Sequence, residues 1–352
     1  MRRGLMGWSE TDLPAAVFRE RLSLLQAELA KAGLGGLVLY TNLARPAAVS
    51  FVTGFTPYWS EGLLLVPASG EPVFATALSK RVSGWIRSVM PIGAIENTPR
   101  PAAEIARKLA EANISKIGVL ELDLLPAAQA ALLTGNDGAI ALEDATALFR
   151  GVRLRADSAE LGFVRRADDL ARNCLQSLDR TDNARRIVAD IDARARLAGA
   201  EEVLVGVNPD LARSNAFLRC DRLDALGATF AIRLSLALKG NWVRRTITLS
   251  RDLGRQGALA AADAAFERAL ASAPTALSTL QKEFPGKIMS WSVEACVGSY
   301  PLEVVACSGG TPAFSGTLPI GVISAQAEID ETPWYGAGPI IGELMETRNA
   351  NH

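Results

Sequence analysis

Arg233 and Arg244 stand eleven positions apart in the stretch FAIRLSLALKGNWVRRTITLS, residues 230–250. A guanidinium is planar, always charged and rich in N–H donors, so its chemistry is the capture of a carboxylate or a phosphate. The stretch reads as two strands around a tight turn at Lys239-Gly240-Asn241. In the first strand Phe230, Ile232, Leu234, Leu236 and Leu238 alternate with Ala231, Arg233, Ser235 and Ala237. Alternation therefore sets Arg233 on the face away from the apolar set. Arg244 returns at about the same level and on the same face, whereas Arg245 should point the other way. Two guanidiniums facing each other across a hairpin repel and are costly to desolvate. Something negative is expected beside them: a bound anion, or an internal carboxylate such as Glu294, Glu303 or Glu328. Arg213 and Arg219 would add to the positive field.

Candidate acids, bases and nucleophiles are few. The only histidine is His352, the last residue, which removes histidine bases, Ser-His and Cys-His dyads and histidine-containing metal sites unless the tail folds back. Glu303 and Tyr300 remain as a base and an acid, and Cys296 or Cys307 as a thiolate stabilised by arginine. Each also has a plainer reading, as strand packing, a surface charge or a small apolar cysteine. The glycine-rich CSGGTPAFSG lacks the spacing of a phosphate loop.

These residues need elements to position them. LPAAVFRERLSLLQAELAKAGLGG has helical periodicity, with Phe18, Leu22, Leu25 and Leu29 on one stripe and Gly33 closing it. GLVLY, a loop TNLARPA and GLLLVPASGEPVFATAL (strand, turn, strand) follow. SKRVSGWIRSV and PAAEIARKLAEAN read as helices and KIGVLEL as a strand. This alternation predicts an α/β domain over residues 1–152. A long amphipathic helix after the Asp157-Ser158 cap region opens residues 153–352. A second helix NARRIVADIDARARLAG, the arginine hairpin, two further helices and strands to the end predict an α+β domain.

The chain has 352 residues, is 49% hydrophobic and carries 37 basic against 38 acidic residues. It can bury a core, and no net field points to nucleic acid or to an anionic membrane. The apolar runs are strand-sized, so no membrane span or signal peptide is expected. Four scattered cysteines suit a reducing cytoplasm.

The order of elements, with GLVLYTN, FVTGF, GLLLVPASGEPVF, LRADSAELGFVRRADDLAR, GATFAIRLSLALKGNWVRRTITLS, YPLEVVA and LPIGVISAQAEI, resembles the creatinase/prolidase/aminopeptidase P family. The resemblance implies a creatinase-like N-terminal domain followed by a pita-bread C-terminal domain. Metal-using members of that family bind two divalent ions through two Asp, one His and two Glu. The matching positions here are Arg233 and Arg244 for the aspartates and about Gly298 for the histidine. Ala327 (or Gln326 or Glu328) falls at the first glutamate and Glu343 at the second. One carboxylate beside two guanidiniums cannot hold a hard cation, so no metal or other cofactor is expected. The histidine that serves creatinase without metal falls at Ser214 or Asn215.

The resemblance further implies a homodimer in which TNLARPAAVSF, with Arg45, leans over the partner's site. Two functions are expected. One is a metal-independent hydrolase cleaving a C–N bond in a small anionic compound, with Glu303, Tyr300 and Cys296 as catalytic candidates and Arg233, Arg244, Arg213, Arg219 and Arg45 binding substrate. The other is a non-catalytic protein binding an anionic metabolite or a protein partner, including a homologous active subunit.

Overall fold

The computed structural model describes residues 8–57, 60–135, 138–176, 178, 183–219, 225–273, 275–308 and 317–345. The chain divides into two compact units. One runs through Ala159 and includes Cys296–Pro301; the other holds Glu160–Ala295 and the described residues from Leu302 onward. The division falls seven residues beyond the expected boundary at 152, and the return of Cys296–Pro301 to the first unit was not expected.

In the first unit the chain runs α1 (Ala15–Lys31), β1 (Gly36–Thr41), α2 (Ala47–Thr53), β2 (Gly62–Pro67), β3 (Val73–Thr76), α3 (Ser83–Val89) and β4 (Ala94–Asn97). It continues through α4 (Pro101–Glu111), β5 (Lys116–Val119), α5 (Ala127–Leu133), β6 (Ala141–Asp144) and α6 (Thr146–Arg153). The strands form one mixed sheet in the order β4-β3-β2-β1-β5-β6. The expected stripe of α1 is buried, with Gly33 in the left-handed region at φ +66° after its end. Its core joins Phe18, Leu25 and Leu29 to Leu37, Phe74 and Phe149.

In the second unit, α7 (Ser158–Gln176) and α8 (Ala184–Leu197) precede β7 (Glu202–Asn208), β8 (Thr229–Leu238) and β9 (Asn241–Ser250). Then come α9 (Leu253–Ala271), α10 (Ala276–Glu283), β10 (Lys287–Ala295), β11 (Glu303–Cys307), β12 (Thr317–Ile329) and β13 (Thr332–Met345). The strands form a sheet in the order β11-β10-β12-β13-β9-β8-β7. Antiparallel pairing sets directly opposed residues on the same face, so the sheet has two sharply different sides. Phe230, Ile232, Leu234, Leu236 and Val243 pack with Val164, Ala171, Ile187 and Ile191 of α7 and α8. On that same side Trp334 is fully buried against Phe266 of α9 and Phe284. The other side carries the arginines.

Candidate anion site

The hairpin turn is tighter than expected. Leu238 pairs with Asn241, leaving Lys239 and Gly240 as a two-residue loop with φ of 50° and 76°, the signature of the turn whose twist matches its strands. This register sets Arg244 opposite Ser235 and Arg233 opposite Thr246. The two arginines thus share a face as diagonal neighbours, and Arg245, opposite Leu234, lies on the other.

The three arginines have three different fates. Arg245 is buried, its side chain 4% exposed. It donates from Nε to Asp168 Oδ1 at 2.6 Å and from a terminal nitrogen to Asp168 Oδ2 at 2.9 Å, and it also bonds Glu267. Burial pulls its pKa down, but the Asp168 bonds and the Glu267 charge outweigh that and leave it raised. A cavity of about 330 Å³ beside this network is flanked by charges already paired with one another, because Arg172 also bonds Asp168 and Glu267 at 2.9 and 2.8 Å. Arg244 is a second internal pair: it bonds the Glu294 carboxylate and donates from Nε to Ser235 Oγ at 3.1 Å. Its side chain is 21% exposed and that of Glu294 12%.

Arg233 is different. Its guanidinium lies 3.9 Å from the centroid of Phe217, and its buried Nε has no hydrogen-bond partner among the described residues. Burial, then the charge of Arg244, lower its pKa; Glu294 and Tyr335 act the other way. Phe217 is delivered by a bridge in which Val207 and Leu218 exchange backbone hydrogen bonds of 3.0 and 2.8 Å. Gly206, opposite Arg233, makes room for it, since a Cβ there would stand 3.3 Å from that of Phe217. Phe217 meets Tyr335 edge-on, ring centroids 5.8 Å apart. Burial raises the phenol pKa of Tyr335 against the pull of Arg233.

Two more unpartnered buried atoms fall on the same row of the sheet. Arg233 opposes Thr246, Thr246 opposes Ala337, and Ala337 opposes Ser324. Thr246 Oγ1 and Ser324 Oγ, like Arg233 Nε, are buried without a hydrogen-bond partner. Thr246 is 5% exposed. A buried polar atom left unpaired costs about 1–3 kcal/mol, and native proteins leave few of them. Three of these unpartnered atoms among the described residues thus lie along one row.

The other expected site residues have neighbours of their own. Arg213 is 86% exposed and paired with Asp210, and Arg219 is exposed. Arg45 donates to the Tyr300 hydroxyl and to the Leu124 carbonyl, both at 2.9 Å, and lies over the Tyr300 ring. Arg45, Tyr300 and Cys296 all belong to the first unit, where the Cys296 carbonyl accepts from Arg153 Nε at 3.1 Å. Glu303 opposes Ala295, one residue on from Glu294, and so lies on the face away from the arginines. Ser214 and Asn215 are exposed. Ala327 pairs with Trp334 on the helix-covered side, so the positions level with the arginines are Ser324 and Ala337 instead. Glu343 lies on β13. The CSGGTPAFSG loop after Ser308 and the tail with His352 lie outside the described residues.

Sequence reasoning missed Phe217, Thr246, Ser324 and Tyr335. Thr246 was within reach of it, two positions from Arg244 on an alternating strand. Ser324 needed the register of three strands.

A sheet with helices on one side and a polar side opposite, preceded by a smaller α/β unit, is the pita-bread arrangement of prolidases and X-Pro aminopeptidases. The chain superposes on the prolidase from Pyrococcus horikoshii OT3 with a TM-score of 0.67 at 12% identity, covering 94% of this chain and 99% of that one. For the X-Pro aminopeptidase from Thermotoga maritima MSB8 the values are 0.65, 12%, 90% and 95%. For the dipeptidase PepE from Mycobacterium ulcerans they are 0.61, 18%, 94% and 94%. No protein-family model and no curated protein matches the sequence. The likeness is therefore one of fold. Among the described residues, the row and the neighbouring Arg244 and Glu294 offer a pair of divalent ions two guanidiniums, hydroxyls and a carboxylate already bonded to Arg244, a set that does not fit them. Among the described residues no three His, Cys, Asp or Glu side chains form a group able to hold a metal ion, and no helix is long and apolar enough to cross a membrane.

Proposed function

We propose that this chain uses the pita-bread scaffold, without metal, to bind a small anionic compound at Arg233. The observation that carries the reading is the contrast within the pair: Arg244 has its carboxylate in Glu294, and among the described residues Arg233 bonds none. An anion docked on the terminal nitrogens of Arg233 would offset the repulsion from Arg244. A thermal-shift panel of small carboxylates, phosphate and sulfate tests it, because a ligand at one hundred times its Kd stabilises by about 2.7 kcal/mol. Saturable stabilisation of wild type that disappears in Arg233→Ala is expected. No response to any anion would overturn the reading.

A second reading makes the bound compound a substrate whose C–N bond is hydrolysed. It is favoured by Glu294, a carboxylate on the same face as Arg233 and the group there able to take a proton from water. Glu294→Gln should then abolish release of the amine while anion stabilisation persists. The assembly proposed with either reading is a cytoplasmic homodimer, with a heteromer containing a homologous chain as the alternative.

A further inference from the structure

Val243, Arg245, Ile247 and Leu249 are the residues that β9 turns toward the helices. Three of them are buried, and Ile247 is only half-buried. Protein interiors are close-packed, so a half-covered isoleucine on the core side of a sheet marks a gap in its cover. The gap is the cavity of about 330 Å³ beside the Arg245 network, lined by residues of the second unit alone. Ile247 and Leu249 form its floor, with Leu175 of α7 on one side and Leu259 and Ala260 of α9 on the other. Its size is at the lower end of the range for small-molecule sites, which are concave and mostly apolar with a few polar groups. We infer that this cleft between α7 and α9 is a binding site, separate from Arg233, for a small uncharged compound with an apolar body and a carboxamide-like end.

The absence of charge follows from the ion network. The charged side chains lining the cavity are Arg172, Arg245, Asp263 and Glu267. Arg172 and Arg245 each bond both Asp168 and Glu267, so two cations meet two anions, and both Glu267 oxygens are engaged. Asp263 accepts from the Trp334 indole N–H at 2.8 Å. A charged ligand would give up water for a cleft whose charges already have partners, and burying a charge unpaired is strongly unfavourable.

The polar end follows from the direction of the elements. α9 runs antiparallel to β9 over the cavity, since its Glu267 bonds Arg245 while its Gln256 donates to the Ser250 carbonyl at 3.4 Å. From Arg245 to Ser250 the strand advances about 17 Å, so Gln256 stands clear of the ion network. Gln256 is half-buried, and its Oε1 accepts from no described residue. The exposed Gln176 of α7 lines the same cavity and bonds no described residue. A side-chain amide both donates and accepts, and a ligand amide answers it on both counts. The ligand's polar end then sits at the mouth of the cleft and its apolar body covers Ile247.

Calorimetric titration of the full chain with cyclohexanecarboxamide, cyclohexyl methyl ketone, cyclohexanecarboxylate and cyclohexylmethylammonium tests this, one ring carrying four end groups. The amide should bind about five- to tenfold tighter than the ketone, the range for one net hydrogen bond. The ammonium should bind at least about tenfold more weakly than the amide. Ala260→Trp, a change at an exposed position that fills the cleft, should abolish amide binding. Any affinity for the carboxylate should belong to Arg233 and survive that change. With Gln176→Leu and Gln256→Leu combined, the amide and the ketone should become equal. Ammonium binding tightest, or carboxylate binding lost with Ala260→Trp, would overturn the uncharged assignment. An amide advantage that is absent in wild type, or that survives loss of both glutamines, would overturn the polar end. Amide binding that persists in Ala260→Trp, or binding of neither neutral compound, would overturn the site itself and leave the anion reading at Arg233 to its own test.

Discussion

Burial and the neighbouring charge of Arg244 both work against the protonated form of Arg233, and a half-buried charge with no carboxylate beside it among the described residues destabilises the empty protein. Removing it should help. Arg233→Met is expected to raise unfolding free energy in urea by about 1 kcal/mol in the absence of ligand, a gain of the kind seen when buried charges give way to apolar groups. Arg244→Met should do the opposite, lowering it by about 3 kcal/mol, because Glu294 would then be buried alone. Equal effects of the two changes would contradict the division of roles. A second titration belongs to this scale. Glu201 is 3% exposed and accepts a 2.6 Å hydrogen bond from Gly240 N at the hairpin turn. Burial pushes its carboxyl up to about 7, against the pull of that bond. Between its ordinary value of 4.5 and about 7 the folded state holds a proton that the unfolded state has released, so stability should fall as pH rises through this window. The loss is up to about 3 kcal/mol, and it levels off above the window. Glu201→Gln should flatten the profile, as urea midpoints measured from pH 4 to 8 would show.

At the scale of elements, the hairpin was the most legible part of the site, because strand alternation is a local property. It set Arg233 and Arg244 on one face and Arg245 on the other before any pairing was known. The turn came out one residue shorter, since Asn241 is taken into the ladder and its side chain bonds the Leu238 and Lys239 carbonyls at 3.3 and 3.1 Å. Gly240 at φ 76° is a position where a Cβ is strained, so Gly240→Ala should cost about 1 kcal/mol in the same urea assay. A neutral effect would mean that the turn relaxes. What could not be read locally was partner choice. Glu294, fifty positions from Arg244, was one of three carboxylates the sequence offered. Ser324 emerges only when β12, β13 and β9 are brought into register. Of the three residues the sequence left open at one position, the register puts Gln326 on the arginine face and Ala327 on the other, because an odd shift in register moves a residue to the opposite face.

For the whole molecule, resemblance in scattered motifs anticipated the scaffold that the superpositions show, at identities of 12–18%. A fold tolerates wide sequence change because the core constrains many positions loosely. Of the expected catalytic residues, Tyr300 and Cys296 belong to one compact unit and Glu303 to the other. Elemental analysis of the purified protein should find no stoichiometric zinc, manganese, cobalt or iron. About one tightly held ion per chain, lost on mutating the hairpin, would contradict the residue chemistry of the row. Sedimentation at micromolar concentration should show the proposed dimer, and a monomer would count against it. The central claim rests on a single side chain, that of Arg233. Its N–H signal, identified by its loss in Arg233→Lys, can be followed by nitrogen-15 NMR as hexanoate is added. A saturable downfield shift of that proton, with the Arg244 Nε–H signal unmoved, is the predicted result; an Arg233 signal that stays in place while hexanoate binds would contradict it.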